Sequence, residues 1–323
     1  MPPVTSSGRV VAAIVVVFAV GLMSRACTRQ SSGEARLAYF ERGRAYAPRV
    51  LEEIAPLPDV LRESSGLAIS KTQPGVIWSH NDSGDRPTLY AIDLKARLLA
   101  TVVVDDAVAQ DWEDIAAGPC PPGEGGSCLY VADTGNNSLE RKVLAIYVMA
   151  EPLIAGANPT QPLVARARSF QFRYPGQPED TEALAVLPNG DLTLVSKGRT
   201  PAIAFFSIPA ADVAKGLASG VVVTASNQGD AGIAPDQNLG RWVTSAAVSP
   251  DGKTLAVRTY SEIFFYAAEN GPQGVRWRDL KRPCFLGDTE PQGEAIDYLD
   301  DRTLVIGSET TPGHPGVLHR VQC

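Results

Sequence analysis

The chain has 323 residues, enough for one large domain or two ordinary ones. With 44% hydrophobic and 20% charged residues, its composition is that of a globular protein and excludes a disordered one. A net charge of −7 argues against a phosphate backbone as partner, so nucleic acid is set aside.

Val10–Met23 is an uncharged apolar run behind Arg9, the pattern of a signal-peptide core or a short membrane anchor. It is shorter than the roughly 20 residues of a comfortable spanning helix. Cys27 follows closely, as in a bacterial lipoprotein, yet Ser24-Arg25-Ala26 departs from the small apolar residues usual before a lipidated cysteine. Arg25, Arg29 and Arg36 leave the topology open. The expected division is a signal peptide or anchor over residues 1–27, a linker over 28–48 and a folded body over 49–323. The expected location is the cell envelope, with the membrane as a partner through the N-terminal segment.

Four cysteines remain in the body. Cys120 and Cys128 flank PPGEGGS, a turn-rich loop that lets its ends meet, and are expected to form a disulfide. Cys284 and Cys323 are left over; sequence does not set their connectivity. No CxxC accompanies them, which disfavours zinc.

A strand over Val50–Leu57 opens the body, and five similar units follow it. The first runs Ser65–Ser70, Val76–Ser79, Thr88–Ile92 and Leu98–Val104. The second runs Glu113–Gly118, Cys128–Ala132, Leu144–Val148 and Ser169–Tyr174. The third runs Glu182–Leu187, Leu192–Ser196, Ile203–Ser207 and Val221–Ala225. The fourth runs Ser245–Pro250, Thr254–Val257, Glu262–Tyr266 and Val275–Leu280. The fifth runs Glu294–Leu299, Thr303–Ile306 and Val317–Val321, then the chain ends. These runs are rich in β-branched and aromatic residues, bounded by turn formers and too short for helices. Unit starts at 65, 113, 182, 245 and 294 lie about 48, 69, 63 and 49 residues apart, near blade periods when loops vary. The fold expected is an all-β, five-bladed β-propeller in which Val50–Leu57 supplies the missing outer strand of the fifth unit by pairing with Val317–Val321. Radial closure protects the sheet edges.

The succession ESSGLAIS, DWEDIAAG, DTEALAVL, VTSAAVSP and QGEAIDYL, with VIGSET near the end, resembles the bacterial SdiA-regulated family of membrane-tethered five-bladed propellers. The resemblance covers roughly residues 50–323. It implies the fold and an envelope location, and carries the inner-strand acid to Glu113, Glu182 and Glu294 and the final Ser-Glu to Ser308-Glu309. WSHNDSGDRP and the Pro/Gly-rich loops depart from the shorter members and look more like calcium-binding, phytase-like propellers. The family transfers no defined activity.

In a propeller the starts of inner strands and the ends of second strands share one face. Glu63, Asp111, Glu113, Asp114, Asp180, Glu182 and Glu294 are thereby expected near Asp82, Asp133 and Glu309. Such acids repel one another unless a cation or a basic side chain compensates. Oxygen-rich sites suit Ca²⁺, or Mg²⁺ with retained waters, with Glu113, Glu182 and Glu294 as the expected ligands and Ca²⁺ the expected ion; a rim of solvated acids is the plainer alternative. Lys197 and Arg258, with Arg199, either neutralise these acids or receive an anionic ligand. Trp112 either packs between blades or offers a ring to a ligand at the mouth. His80 is the one histidine at a rim position suited to acid–base work, though a loop histidine is more often polar surface. Two functions remain open: a module binding a small ligand or protein on an acidic, Ca²⁺-loaded face, or a metal-dependent esterase or phosphoesterase.

Overall fold

The computed structural model describes residues 34–82, 84–271, 274–290 and 292–323. The apolar run and Cys27 lie outside them. Among the described residues no helix is long and apolar enough to cross a membrane. The chain divides into two units, residues 1–45 and 46–323. The first contributes a helix over residues 34–43.

The second unit opens with β1 (Val50–Pro56). Blade one is β2 (Ser64–Ile69), β3 (Val76–Asn81), β4 (Thr88–Asp93) and β5 (Leu98–Asp105), with β9 (Leu163–Arg166) added parallel to β5. Blade two is β6 (Trp112–Pro119), β7 (Ser127–Asp133), β8 (Leu144–Ala150) and β10 (Arg168–Arg173). Blade three is β11 (Thr181–Val186), β12 (Leu192–Ser196), β13 (Ala204–Ile208) and β15 (Ser226–Asp230). Blade four is β16 (Val243–Val248), β17 (Thr254–Thr259), β18 (Glu262–Gly271) and β19 (Gly274–Asp279), with β20 (Cys284–Phe285) paired to β18. Blade five is β21 (Gly293–Tyr298), β22 (Leu304–Ser308), β23 (Val317–Gln322) and β1, which pairs antiparallel with β23. The architecture is a five-bladed β-propeller.

Its apolar interior is five layers rather than one core. Each layer joins neighbouring blades: Trp78 with Leu129, Tyr130 with Leu184, Phe205 with Leu255, Ala256 with Ile306, and Val305 with Leu67. Inner strands are therefore buried on both faces, and β11 and β21 read as continuous buried runs without alternation. Every blade sheet contacts two neighbours, so no blade can bury its faces alone.

Two local expectations are overturned. Val221–Ala225 is not the outer strand of blade three: β14 (Val223–Thr224) runs parallel to β10 on blade two, and β15 fills the outer place. The chain reaches it through α1 (Ala210–Ser219), a helix that PAADVAKGLASG makes possible. Pro209 stands just before its first turn, where a missing N–H costs nothing, and Gly220 closes it in the left-handed conformation. Blade four is also out by one residue. Inner and second strands pair with a register shift at the same place in all five blades, skipping Ser65, Glu113, Glu182, Thr244 and Glu294. Thr244, not Ser245, is the repeat equivalent of the acids.

Candidate functional site: an acidic channel mouth

The bulge explains why poor strand formers begin these strands. A residue outside the ladder is re-aimed by the local kink, here toward the channel mouth, and owes the sheet no pairing. Glu113, Glu182 and Glu294 are all buried at this position. Thr244 donates from Oγ1 to the Gly293 carbonyl at 3.1 Å and Ser65 from Oγ to the Glu113 carbonyl at 2.6 Å, so the two uncharged equivalents tie blades together instead.

One residue further along, four blades carry small side chains, Gly66, Ala183, Ser245 and Ala295, while blade two carries Asp114. The room they leave is filled by its carboxylate. Leu184 N donates to Oδ2 at 2.8 Å, Ile115 N to Oδ1 at 2.9 Å, and Ser245 Oγ lies 3.1 Å from both oxygens. A Cβ on Gly66 would stand 2.9 Å from Asp114 Oδ1 and 2.7 Å from Ile115 N, so glycine is needed there. Asp114 is thus a strut across blades two, three and four, not an open ligand; burial pushes its carboxyl well above the usual range against these three donors and a fourth, Ala246 N, at 3.4 Å. Beyond it, at the far ends of the inner strands, opens a cavity of about 600 Å³ walled largely by Ile69, Ala117, Val186, Val248 and Leu299.

At the mouth, Asp82, Asp111 and Glu113 each bring one carboxylate oxygen to within 4.8 Å of the others. Asp82 follows β3 and receives its place from Asp82 N donating to the Glu63 carbonyl at 2.8 Å. Asp111 is held by Gly135, whose N–H donates to its carbonyl at 3.1 Å. Gly135 also presses against the carboxylates: a Cβ there would lie 2.1 Å from Glu113 Oε1 and 2.3 Å from the Asp111 carboxylate. The trio is a cradle that any side chain at 135 would fill. Burial and then the neighbouring Asp82 push the Asp111 carboxyl up, and burial followed by Glu182 and Asp82 raises Glu113 much further.

The other acids are arranged in pairs. Glu182 sits 2.7 Å from Lys197 Nζ, yet burial still pushes its carboxyl up to about 8. Burial alone would lower the Lys197 ammonium, but Glu182 and Glu113 hold it above its ordinary value. Gln292 Nε2 donates to Glu294 at 3.1 Å and to Glu309 at 2.5 Å, joining two carboxyls that burial lifts to about 7 and about 9. Tyr260, its phenol raised by burial and by Glu294, hydrogen-bonds Glu294 from the blade-four turn. Asp133 pairs with Arg141 at 2.7 Å and Asp180 with Arg199 at 2.6 Å. Glu63 is exposed beside this rim. Trp242 heads β16 with Arg199 4.8 Å above its ring.

Compared with the expected ligand set, the structure keeps Glu113 but gathers Asp82 and Asp111 around it, with Glu182 and Glu294 in the adjoining pairs. His80 is off the rim: it is wholly buried, its pKa is lowered by burial to about 4, and Nδ1 meets the Asn81 carbonyl at 2.8 Å. Its ring stands edge-on to Trp112, centroids 5.7 Å apart, and Trp112 is itself 1% exposed between blades one and two. Arg258 is likewise fully buried. It reaches beneath blade five to the carbonyls of Ala295 (2.7 Å) and Gly307 (3.0 Å) and ion-pairs with Glu290, which His319 meets at 3.2 Å. Gly135, Tyr260, Gln292 and Trp242 escaped the sequence reading. Only Gly135 carried a signal, as the glycine in DTGNN at the end of a second strand.

Fold and site together define a five-bladed propeller with a carboxylate-rich channel mouth. No family model matches the chain, and no curated protein matches it. Among solved structures, it is similar to a PQQ-bound aldose sugar dehydrogenase from Streptomyces coelicolor, with TM-score 0.49, 11% identity, and coverage of 85% of this chain and 99% of that one. A luciferin-regenerating enzyme gives TM-score 0.45 and 10% identity over 85% of this chain and 95% of that one. Such scores carry nothing about chemistry; the five blades stand on the strand pairings themselves.

Proposed function

We propose that the protein is an exported propeller that binds a divalent cation, Ca²⁺ first among them, between Asp82, Asp111 and Glu113 and presents it to a small ligand at the channel mouth. The observation that carries this is the Gly135 cradle: three carboxylates converge on a space kept clear by a glycine, with Lys197 the buried ammonium nearest to Glu113 and already engaged by Glu182. Oxygen-only donors suit a hard cation, and a bound ion would favour ionisation of groups that burial now opposes. The two disulfides, Cys120–Cys128 and Cys284–Cys323, fit folding in an oxidising compartment. The apolar N-terminal run supports export and a membrane tether. The succession of inner-strand motifs supports kinship with the SdiA-regulated propellers. The binding reading is preferred to the hydrolase because His80, the expected acid–base group, lies buried against Trp112.

The test is thermal unfolding in chelator and in added Ca²⁺. Ligand at about 100 times its Kd stabilises the native state by about 2.7 kcal/mol, a rise of several degrees in Tm. Glu113→Gln should abolish the rise. Equal melting of wild type in chelator, Ca²⁺, Mg²⁺ and Mn²⁺ would sink the proposal.

A further inference from the structure

On an acidic protein, one groove is basic. It lies between blades four and five beside the Cys284–Cys323 disulfide, has a volume of about 640 Å³, and is lined by Arg49, Arg282 and Arg302 together with Tyr46, Phe265 and Tyr298. The three arginines are exposed, and none has an ion-pair partner among the described residues. Asp301 is the one carboxylate side chain in the lining. It accepts from Asp251 N at 3.2 Å.

A second observation lies at the inner wall of the groove, where Tyr298 also borders the cavity at the far ends of the inner strands. Tyr298 is 3% exposed, and its hydroxyl has no hydrogen-bond partner among the described residues. Buried hydroxyls without partners are rare in folded proteins and ask for a missing acceptor. Burial first, then Asp297, Asp251 and Asp301, keep this phenol protonated, so it offers a donor. Three guanidiniums, each a planar fork of donors, and one buried O–H outnumber the single Asp301 carboxylate of the lining. Phe265, Leu280, Pro283 and Leu304 give the groove an apolar wall, beside the polar Thr254 and Gln322.

We infer that this groove binds a phosphate group carried on an apolar or aromatic body, the phosphate taken by Arg282, Arg302 and the Tyr298 hydroxyl, and the body lying along Phe265 and Tyr46. Guanidinium forks match phosphate oxygens two at a time, which a lone carboxylate rim cannot do. A volume of about 640 Å³ falls within the range of small-molecule sites. The site shares no residue with the acidic mouth and does not depend on a metal there.

A soluble phosphomonoester and a phospholipid headgroup share this chemistry. The test is calorimetric titration of the full chain with phenyl phosphate, in chelator so that the acidic mouth is silent. Wild type should bind; Arg282→Gln with Arg302→Gln should weaken binding at least tenfold with unchanged melting, since both side chains are exposed. Tyr298→Phe, which removes one oxygen only, should weaken it several-fold while leaving the fold intact. Competition then separates the sources: displacement by phosphatidylglycerol vesicles, but not by phosphatidylcholine vesicles, assigns the site to a lipid headgroup. Failure of phosphatidylglycerol to compete assigns it to a soluble phosphate. Absence of phenyl phosphate binding, or equal binding by the arginine variant, overturns the inference.

Discussion

The acids of the mouth differ in what holds them, and the difference sets their titration. Glu182, Glu294 and Glu309 have carboxyls raised by burial to about 8, about 7 and about 9. Above the ordinary carboxylate range the native state keeps protons that the unfolded chain has lost, so stability falls as pH rises. In chelator, melting temperature should decline from about pH 5 toward about pH 9, the window these values set. Ca²⁺ should restore more stability at the upper end than at the lower, because burial also raises the Asp111 and Glu113 carboxyls, which must lose their protons to bind it. A melting profile that is flat or rises over this window would contradict the placement of these carboxyls. Gly135→Ala supplies a sharper residue-scale check: the added Cβ crowds Glu113 Oε1 and the Asp111 carboxylate, so Ca²⁺ stabilisation should vanish and the chelator-treated protein should itself melt somewhat below wild type. A variant that still gains several degrees from Ca²⁺ would show that the ion binds elsewhere.

The inner strand is the element on which structure and function meet. Its acid-then-small pattern was legible in the sequence, because bulge and ladder leave a repeating residue order in Glu113-Asp114, Glu182-Ala183 and Glu294-Ala295. Blade four was misread by one position, since Thr244 is neither acidic nor apolar and only the register shift identifies it. Asp114 was read as an open ligand because a sequence shows its charge and not the four small neighbours around it. Asp114→Ala should leave the Leu184 and Ala246 N–H groups without their acceptor, a loss on the order of 3 kcal/mol. Denaturant unfolding that moves by less than 1 kcal/mol would show the strut to be dispensable. Trp112 and His80 were indistinguishable from rim residues on pattern alone; the packing of blade two against blade one removes them from solvent. Arg258 was misplaced for a related reason: a lone arginine at a strand end reads as surface, and only the Glu290 carboxylate beneath blade five accounts for its burial.

At the scale of the whole molecule, the ring is closed twice. β1 completes blade five by pairing with β23, and Cys284–Cys323 links β20 of blade four to the end of β23. The two disulfides differ in the chain they close, sequence separations being 8 and 39. Loop-closure entropy gives about 2.5 kcal/mol for the shorter and about 4 kcal/mol for the longer. Cys284→Ala with Cys323→Ala should therefore lower stability more than Cys120→Ala with Cys128→Ala, as measured by chemical unfolding; the reverse order would show that ring closure rests on strand pairing alone. With the ring held rigid, carboxylates from different blades keep their distances, so the proposed site of Asp82, Asp111 and Glu113 requires no rearrangement to take an ion. Diffraction from crystals grown with Mn²⁺, using its anomalous signal, tests that claim most directly. The account predicts one strong peak within bonding distance of Asp82, Asp111 and Glu113, against Gly135. A map with no peak at the mouth, or with the ion held by Glu294 and Glu309 instead, would contradict it.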